Sequence, residues 1–175
     1  MRRLILGTIG LLVIAIPGWA QESAPRAEVF GGFSLSSIAA GTPSTRTPFY
    51  GWQASVNGNL NRRLALVGDF GGQYKSIAGI SMSNTQYLFG PRVTLRHEWV
   101  TPFAHVLVGA NRTSALGASS TNLGLGIGGG FDLNVSDRLA FRVPQFDWTP
   151  VRAAGTWNNN IIRVGFGLVF RLGEQ

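Results

Sequence analysis

The chain closes on a stretch, Asn159 to Leu172, whose polarity alternates with a period of two. Ile162, Val164, Phe166, Leu168, Phe170 and Leu172 form one unbroken apolar face. Ile161, Arg163, Gly165, Gly167, Val169 and Arg171 form the other. Period two is the mark of a β-strand between two different environments. A soluble core does not welcome two arginines, and a solvent face has no need of two glycines. A narrow, polar barrel lumen accounts for both, with lipid against the apolar face.

The alternation recurs upstream. The first strand, Ala27 to Leu35, sets Val29, Gly31, Phe33 and Leu35 against Glu28, Phe30, Gly32 and Ser34. The second, Phe49 to Leu60, sets Trp52, Ala54, Val56, Gly58 and Leu60 against Gly51, Gln53, Ser55, Asn57 and Asn59. Leu64 to Tyr74 turns Leu64, Leu66, Phe70 and Tyr74 outward and Asp69 and Gln73 inward. Thr85 to Leu95 turns Tyr87, Phe89, Pro91, Val93 and Leu95 outward and Gln86, Gly90, Arg92 and Thr94 inward. In Thr101 to Arg112, His105, Gly109 and Asn111 share the inner face. In Asn122 to Asn134, Leu123, Leu125, Ile127, Phe131 and Leu133 alternate with Gly124, Gly126, Gly128, Gly130 and Asp132. That glycine ladder leaves room for long side chains from other strands. A phosphate loop would need a helix after it, and a turn, Val135-Ser136-Asp137, follows instead.

The seventh strand, Arg138 to Thr149, starts with Leu139, Phe141 and Val143 outward and Arg142 inward. Its parity then breaks. A bulge near Pro144-Gln145 restores Asp147 to the interior and sends Phe146 and Trp148 out. The pattern thus predicts eight strands, each near the ~9–11 residues that a tilted membrane strand needs. Three short links (Asn61–Arg63, Arg96–Val100, Val135–Asp137) alternate with longer polar segments, Ser36–Pro48, Lys75–Asn84, Thr113–Thr121 and Pro150–Asn158, read as exposed loops. Aromatics near the strand ends form two belts: Phe49, Tyr50, Tyr74, Tyr87, Trp148 and Trp157 by the long loops, and Trp99, Phe103, Phe141 and Phe170 by the short turns. The architecture is an all-β, eight-stranded antiparallel up-and-down transmembrane barrel. A soluble lipocalin-like barrel would need an apolar lumen and a polar exterior, which the inward arginines oppose.

Composition adds an address. Met1-Arg2-Arg3 is a basic lead, Leu4 to Ile16 is apolar, and Gly18 and Ala20 are small. This is the plan of a signal peptide cleaved after Ala20, with residues 21–175 as the barrel domain. The alternative, a retained anchor helix, is disfavoured because the apolar run is short for a span of ~20 residues. The chain has no cysteine, which excludes a lipoprotein anchor, a thiolate metal site and disulfides. Loss of the leader lowers the formal charge from +7 to +5. The basic residues are scattered, with no run longer than Arg62-Arg63, so nucleic acid is not an expected partner. Outer-membrane lipid and lipopolysaccharide are.

The inward charged set is Glu28, Asp69, Arg92, Asp132, Arg142, Asp147, Arg163 and Arg171, with His105 as a polar neighbour. Catalysis is one reading. An ion-pair network that fills the lumen is the other, and it is preferred. Side chains fill an eight-stranded barrel, and buried charges must be paired. The two histidines stand eight apart, at opposite ends of a strand's reach, so no metal site is expected. No cofactor is implied.

By its sixth strand the chain also resembles the small outer-membrane β-barrel family, the OmpA-like and OmpX-like barrels often labelled porin-family or outer membrane protein β-barrel domain. The residues that carry this are Gly51-Trp52, Asn59-Leu60-Asn61-Arg62-Arg63 leading to Gly68-Asp69-Phe70, and Gly90-Pro91-Arg92. Thr101-Pro102-Phe103-Ala104-His105, Gly128-Gly129-Gly130-Phe131-Asp132 and Gly165-Phe166-Gly167-Leu168-Val169-Phe170 complete them. The resemblance spans the mature chain and implies assembly by the outer-membrane machinery. Members often end in an aromatic residue; here the chain continues past Phe170 to Gly173-Glu174-Gln175. The peptidoglycan-binding domain that follows some of these barrels is not expected. Some relatives are lipid A deacylases with a His-x-Ser-Asn run. Here His97 precedes Glu98-Trp99 and His105 precedes Val106-Leu107, so neither fits. The expected protein is a non-enzymatic, monomeric outer-membrane barrel with a structural or surface-interaction role and an unknown loop ligand. A narrow porin-like channel is the main alternative, and a lipid A-modifying enzyme the next.

Overall fold

The computed structural model describes residues 24–39, 46–77 and 80–174. The expected signal peptide lies outside the described residues. So does the segment 40–45, at the centre of the first long loop.

Eight long strands form the wall: β1 (Pro25–Ala39), β2 (Arg46–Asn59), β3 (Leu64–Ile77), β4 (Ile80–Thr94), β5 (Val100–Ala115), β6 (Ala118–Asn134), β7 (Leu139–Trp148) and, last in the chain, β10 (Ile161–Glu174). Two three-residue strands, β8 (Val151–Ala153) and β9 (Thr156–Asn158), make a small hairpin attached to β6. Each wall strand pairs antiparallel with its chain neighbours, and β10 pairs with β1, so the sheet closes on itself. Closure leaves the wall no unpaired edge.

The register fixes the geometry. Starting at Asn59 on β2, the partners run to Ala65, Arg92, His105, Gly128, Asp147, Arg163, Ser36 and then Phe49, back on β2. One circuit therefore returns ten residues further along the same strand. Eight strands with that stagger tilt roughly 35–45° to the barrel axis. Every residue on this circuit with a side chain points inward, and it passes through four of the nine expected lumen residues.

The barrel is inside-out relative to a soluble protein. Among the described residues, twenty-two buried side chains are polar or charged and twelve are apolar. Meanwhile Leu66, Val106, Phe89 and Val56 on the outer face are at least half exposed. A continuous apolar exterior of this size is stable only against lipid.

Three expectations need correction. First, the wall strands are 10–17 residues long rather than 9–11. Most of the expected outer loops are paired backbone: Lys75↔Met82 through Ile77↔Ile80, and Thr113↔Ser120 through Ala115↔Ala118. An apolar band ~25 Å tall needs only the lower part of such strands; the rest projects beyond it. Second, Phe49 and Phe103 are buried in the lumen rather than set in the aromatic belts. Third, the lumen is not uniformly polar. Val67, Leu88 and Leu107 pack together inside it, as do Phe30, Ala140 and Val169. A lumen too narrow for bulk water gains by dispersion contact wherever no charge needs a partner.

The parity break in β7 is a bulge. Gly130 pairs with Gln145 and Asp132 with Arg142, so Val143 and Pro144 together oppose the single residue Phe131. The same two residues oppose Phe166 on β10. Proline is tolerated there because a bulged residue has no ladder bond to give. Beyond it Gln145 and Asp147 are buried, and Phe146 and Trp148 are exposed.

Candidate functional site

The inner side chains form two charged clusters, one above the other. The lower cluster lies near the short turns. Asp132 on β6 accepts from Arg142 Nε at 2.7 Å and Nη2 at 3.0 Å, and from Arg92 Nη2 at 3.0 Å. Glu28 on β1 pairs with Arg96 Nη1 at 2.7 Å. It also lies 3.8 Å from Arg171 Nε and 3.9 Å from Arg92 Nη2. Arg171 Nη2 donates to Asn134 Oδ1 at 2.6 Å. The Arg92 guanidinium stacks 3.9 Å from the Phe103 ring centre, and that of Arg142 lies 4.4 Å from Phe103 and 4.3 Å from Phe30. Planar guanidinium over an aromatic face lets cations share a narrow space. This explains the inward turn of both phenylalanines.

The upper cluster has one arginine. Arg163 on β10 pairs with Asp147 on β7 (Nη2–Oδ2 2.7 Å) and Asp69 on β3 (Nη1–Oδ1 2.8 Å). Its Nη1 also donates to Gln86 Oε1 on β4 at 3.2 Å. In the closed order of strands β4 is four places from β10 in either direction. Arg163 therefore spans the full diameter, and its side chain is 0% exposed. Gln53 Nε2 donates to Asp69 at 2.6 Å, and Gln145 Nε2 to Asp147 at 2.8 Å. His105 Nε2 lies 2.9 Å from Asp147 Oδ1. Gly128 stands between His105 and Asp147 in the register, and a Cβ there would collide with the Asp147 carboxylate. The glycine is what lets the two side chains meet.

Among the described residues one side-chain hydrogen bond joins the clusters. Arg142 Nη1 donates to Gln145 Oε1 at 3.0 Å. Residues three apart on a regular strand face opposite ways; the Val143-Pro144 bulge turns both inward. The result is a continuous path from Glu28 through Arg92, Asp132, Arg142, Gln145, Asp147 and Arg163 to Asp69.

All nine expected site residues thus lie in the lumen, with Arg171 at its lower mouth. Asp69 serves Arg163 on the last strand, and Glu28 lies near Arg171 there. Asp132 instead serves Arg92 and Arg142. Arg96, expected in a turn, is a further member, and Gln145 is the connecting one. The glycine ladder is filled from the neighbouring strands: Leu88 on β4 lies against Gly124 and Gly126, and Phe103 on β5 against its register partner Gly130. Gly165 faces Gln53, whereas Gly167 faces the Gly31 and Gly32 backbone and makes no room for a side chain. Among the described residues no serine hydroxyl bonds to His105, and no three His, Asp or Glu side chains gather as a metal seat.

Several solved structures share the fold. Neisserial surface protein A (NspA) superimposes with a TM-score of 0.67 at 13% identity, over 87% of this chain and all of its own. Ail, the attachment invasion locus protein of Yersinia pestis, gives 0.62 at 14%, over 85% and 99%. The N-terminal β-barrel domain of Pseudomonas aeruginosa OprF gives 0.59 at 11%, over 85% and 98%. No curated protein matches the chain. A family model, the outer membrane protein beta-barrel domain, matches residues 6–170. With its closed eight-stranded wall, apolar exterior and paired interior, the chain belongs to the outer membrane protein beta-barrel family.

Proposed function

We propose that this barrel is a closed, non-enzymatic wall element of the outer membrane that works through its projecting hairpins in a structural or surface-interaction role. The carrying observation is Arg163, wholly buried and bonded across the full diameter to Gln86 while held by Asp69 and Asp147. Such a crossbar opposes a water-filled path, and the inner charged groups are engaged with one another rather than aimed at a substrate. The names of NspA, a surface protein, and Ail, an attachment protein, are of the same kind. In this reading residues 1–20 direct export, the assembly machinery inserts the barrel as a monomer, and lipid and lipopolysaccharide surround it. Short turns face the periplasm and long hairpins face out.

Planar-bilayer recording of the refolded barrel tests the role. The wild type should carry no steady current, and Arg163→Ala should open one. A steady wild-type current abolished by Arg163→Ala or Arg92→Ala would establish the narrow-channel alternative instead.

A further inference from the structure

The carboxylates are distributed unevenly. Between Glu28 and the carboxy terminus they are Glu28, Asp69, Asp132 and Asp147 in the lumen, and Glu98, Asp137 and Glu174 at the short-turn end. The four outer segments hold none. Three of them hold one cation each, Arg46, Lys75 and Arg152, and Arg112 directly precedes the remaining one. Lys75 is used within the fold, where Nζ donates to the Pro48 carbonyl at 3.0 Å and sits 5.6 Å from the Phe49 ring centre.

Arg112 and Arg152 are placed differently. Directly opposed residues in a sheet share a face. Arg112 opposes Thr121 on β6, and Leu123, two residues on, opposes Arg152, which in turn opposes Trp157. Leu123 is exposed on the lipid-facing side, so both arginines lie on that side, flanking β6. Both are exposed. Arg112 Nη2 is steadied by Ser119 Oγ at 3.2 Å. Trp157 stands beside Arg152, and Trp148, on the same outer face, anchors its Nε1 to the Asn159 carbonyl at 2.6 Å. Cations and tryptophans together, Arg112 on wall strand β5 and Arg152 on the small hairpin paired to β6, are arranged for the headgroup layer of a membrane.

We infer that Arg112 and Arg152 form a seat for the phosphates of an anionic glycolipid in the outer leaflet. The inference rests on the outward placement of the long hairpins proposed above. Guanidinium forks match phosphate oxygens. With no carboxylate in these segments, nothing within the outer end competes for the cations. A soluble polyanion would be met by cations at the tips, and the β5–β6 tip, Leu116-Gly117, carries none.

The test uses the refolded mature barrel in phosphatidylcholine bicelles, titrated with bisphosphorylated lipid A, with bound lipid counted by native mass spectrometry. The wild type should retain the lipid. The Arg112→Gln/Arg152→Gln pair should weaken binding on the order of thirtyfold, about tenfold or less per cation. Arg112→Lys/Arg152→Lys should keep most of the affinity, and Arg62→Gln/Arg63→Gln at the opposite end should keep all of it. Unboiled gel mobility confirms that each variant is a folded barrel. Equal binding by wild type and the Gln pair overturns the seat, as does equal loss with fully dephosphorylated lipid A. Sensitivity confined to a soluble sulfated oligosaccharide overturns it in favour of a polymer partner. None of these outcomes alters the conductance test, so the two readings fail separately.

Discussion

The two lumen clusters solve the same problem with different margins. The lower one sets two carboxylates, Glu28 and Asp132, among four arginines, with two aromatic rings spacing the cations. The upper one sets two carboxylates, Asp69 and Asp147, around one arginine, and completes their bonding with neutral amides and His105. The lower cluster is redundant and opens on the short-turn mouth through Arg96 and Arg171. The upper one depends on a single cation at the centre of the diameter. Redundancy tolerates loss of a member, whereas a keystone does not.

The keystone is the first place to break the comparison. Arg163→Ala strands two buried carboxylates, and removing one partner of a buried pair costs about 3–5 kcal/mol. Urea unfolding in lipid vesicles should show a loss of that size. Adding Asp69→Asn and Asp147→Asn should recover part of it, because the stranded charges are then gone. A loss no greater than that of Arg171→Gln would erase the distinction between the clusters.

Gly128→Ala comes next. Its methyl group meets the Asp147 carboxylate and the Phe146 carbonyl, and overpacking of this kind costs about 1–3 kcal/mol. The His105 imidazole resonances should shift as the contact with Asp147 is lost. Unchanged imidazole resonances would show that the glycine does not govern the meeting.

The bridge between clusters can be weakened alone. Gln145→Leu leaves Arg142 with Asp132 and Asp147 with Arg163, but removes the link between them. A loss of about 1–2 kcal/mol is expected. In a double-mutant cycle, coupling between Arg92→Gln and Asp69→Asn should vanish in the Gln145→Leu background. Persistent coupling would mean that the clusters communicate by another route.

Smallest is Arg171→Gln. Glu28 keeps Arg96 and Arg92, and Arg171 sits at the wet mouth of the lumen, so unfolding should move by less than about 1 kcal/mol. A loss matching that of Arg163→Ala would deny the lower cluster its redundancy.

Legibility followed the membrane boundary. Within it, one face meets lipid and the other the lumen, so the inner parity of Arg92, Asp132 and Arg163 coincides with their burial. Above it both faces of a strand meet water. The alternation fades while the backbone ladder continues, so Thr113–Thr121 reads as a loop although it is a paired hairpin with a two-residue turn at Leu116-Gly117. Arg96 follows the last paired residue of β4, where period two no longer applies; only the closed mouth brings it to Glu28. Gln145 adjoins the bulge, where counting by twos leaves the face undecided. Phe103 lies on the inner parity of β5. A rule that places aromatics at interfaces overrode that parity, and the two stacked guanidinium groups explain why it should not have done.

The central claim is that the barrel is turned inside out, with charge in the lumen and lipid outside. The most direct measurement compares folding of residues 21–175 from urea into phosphatidylcholine vesicles and into plain buffer, followed by circular dichroism and unboiled gel mobility. The account predicts a compact β-rich band in vesicles and aggregation in buffer. A monodisperse folded barrel in plain buffer would contradict it.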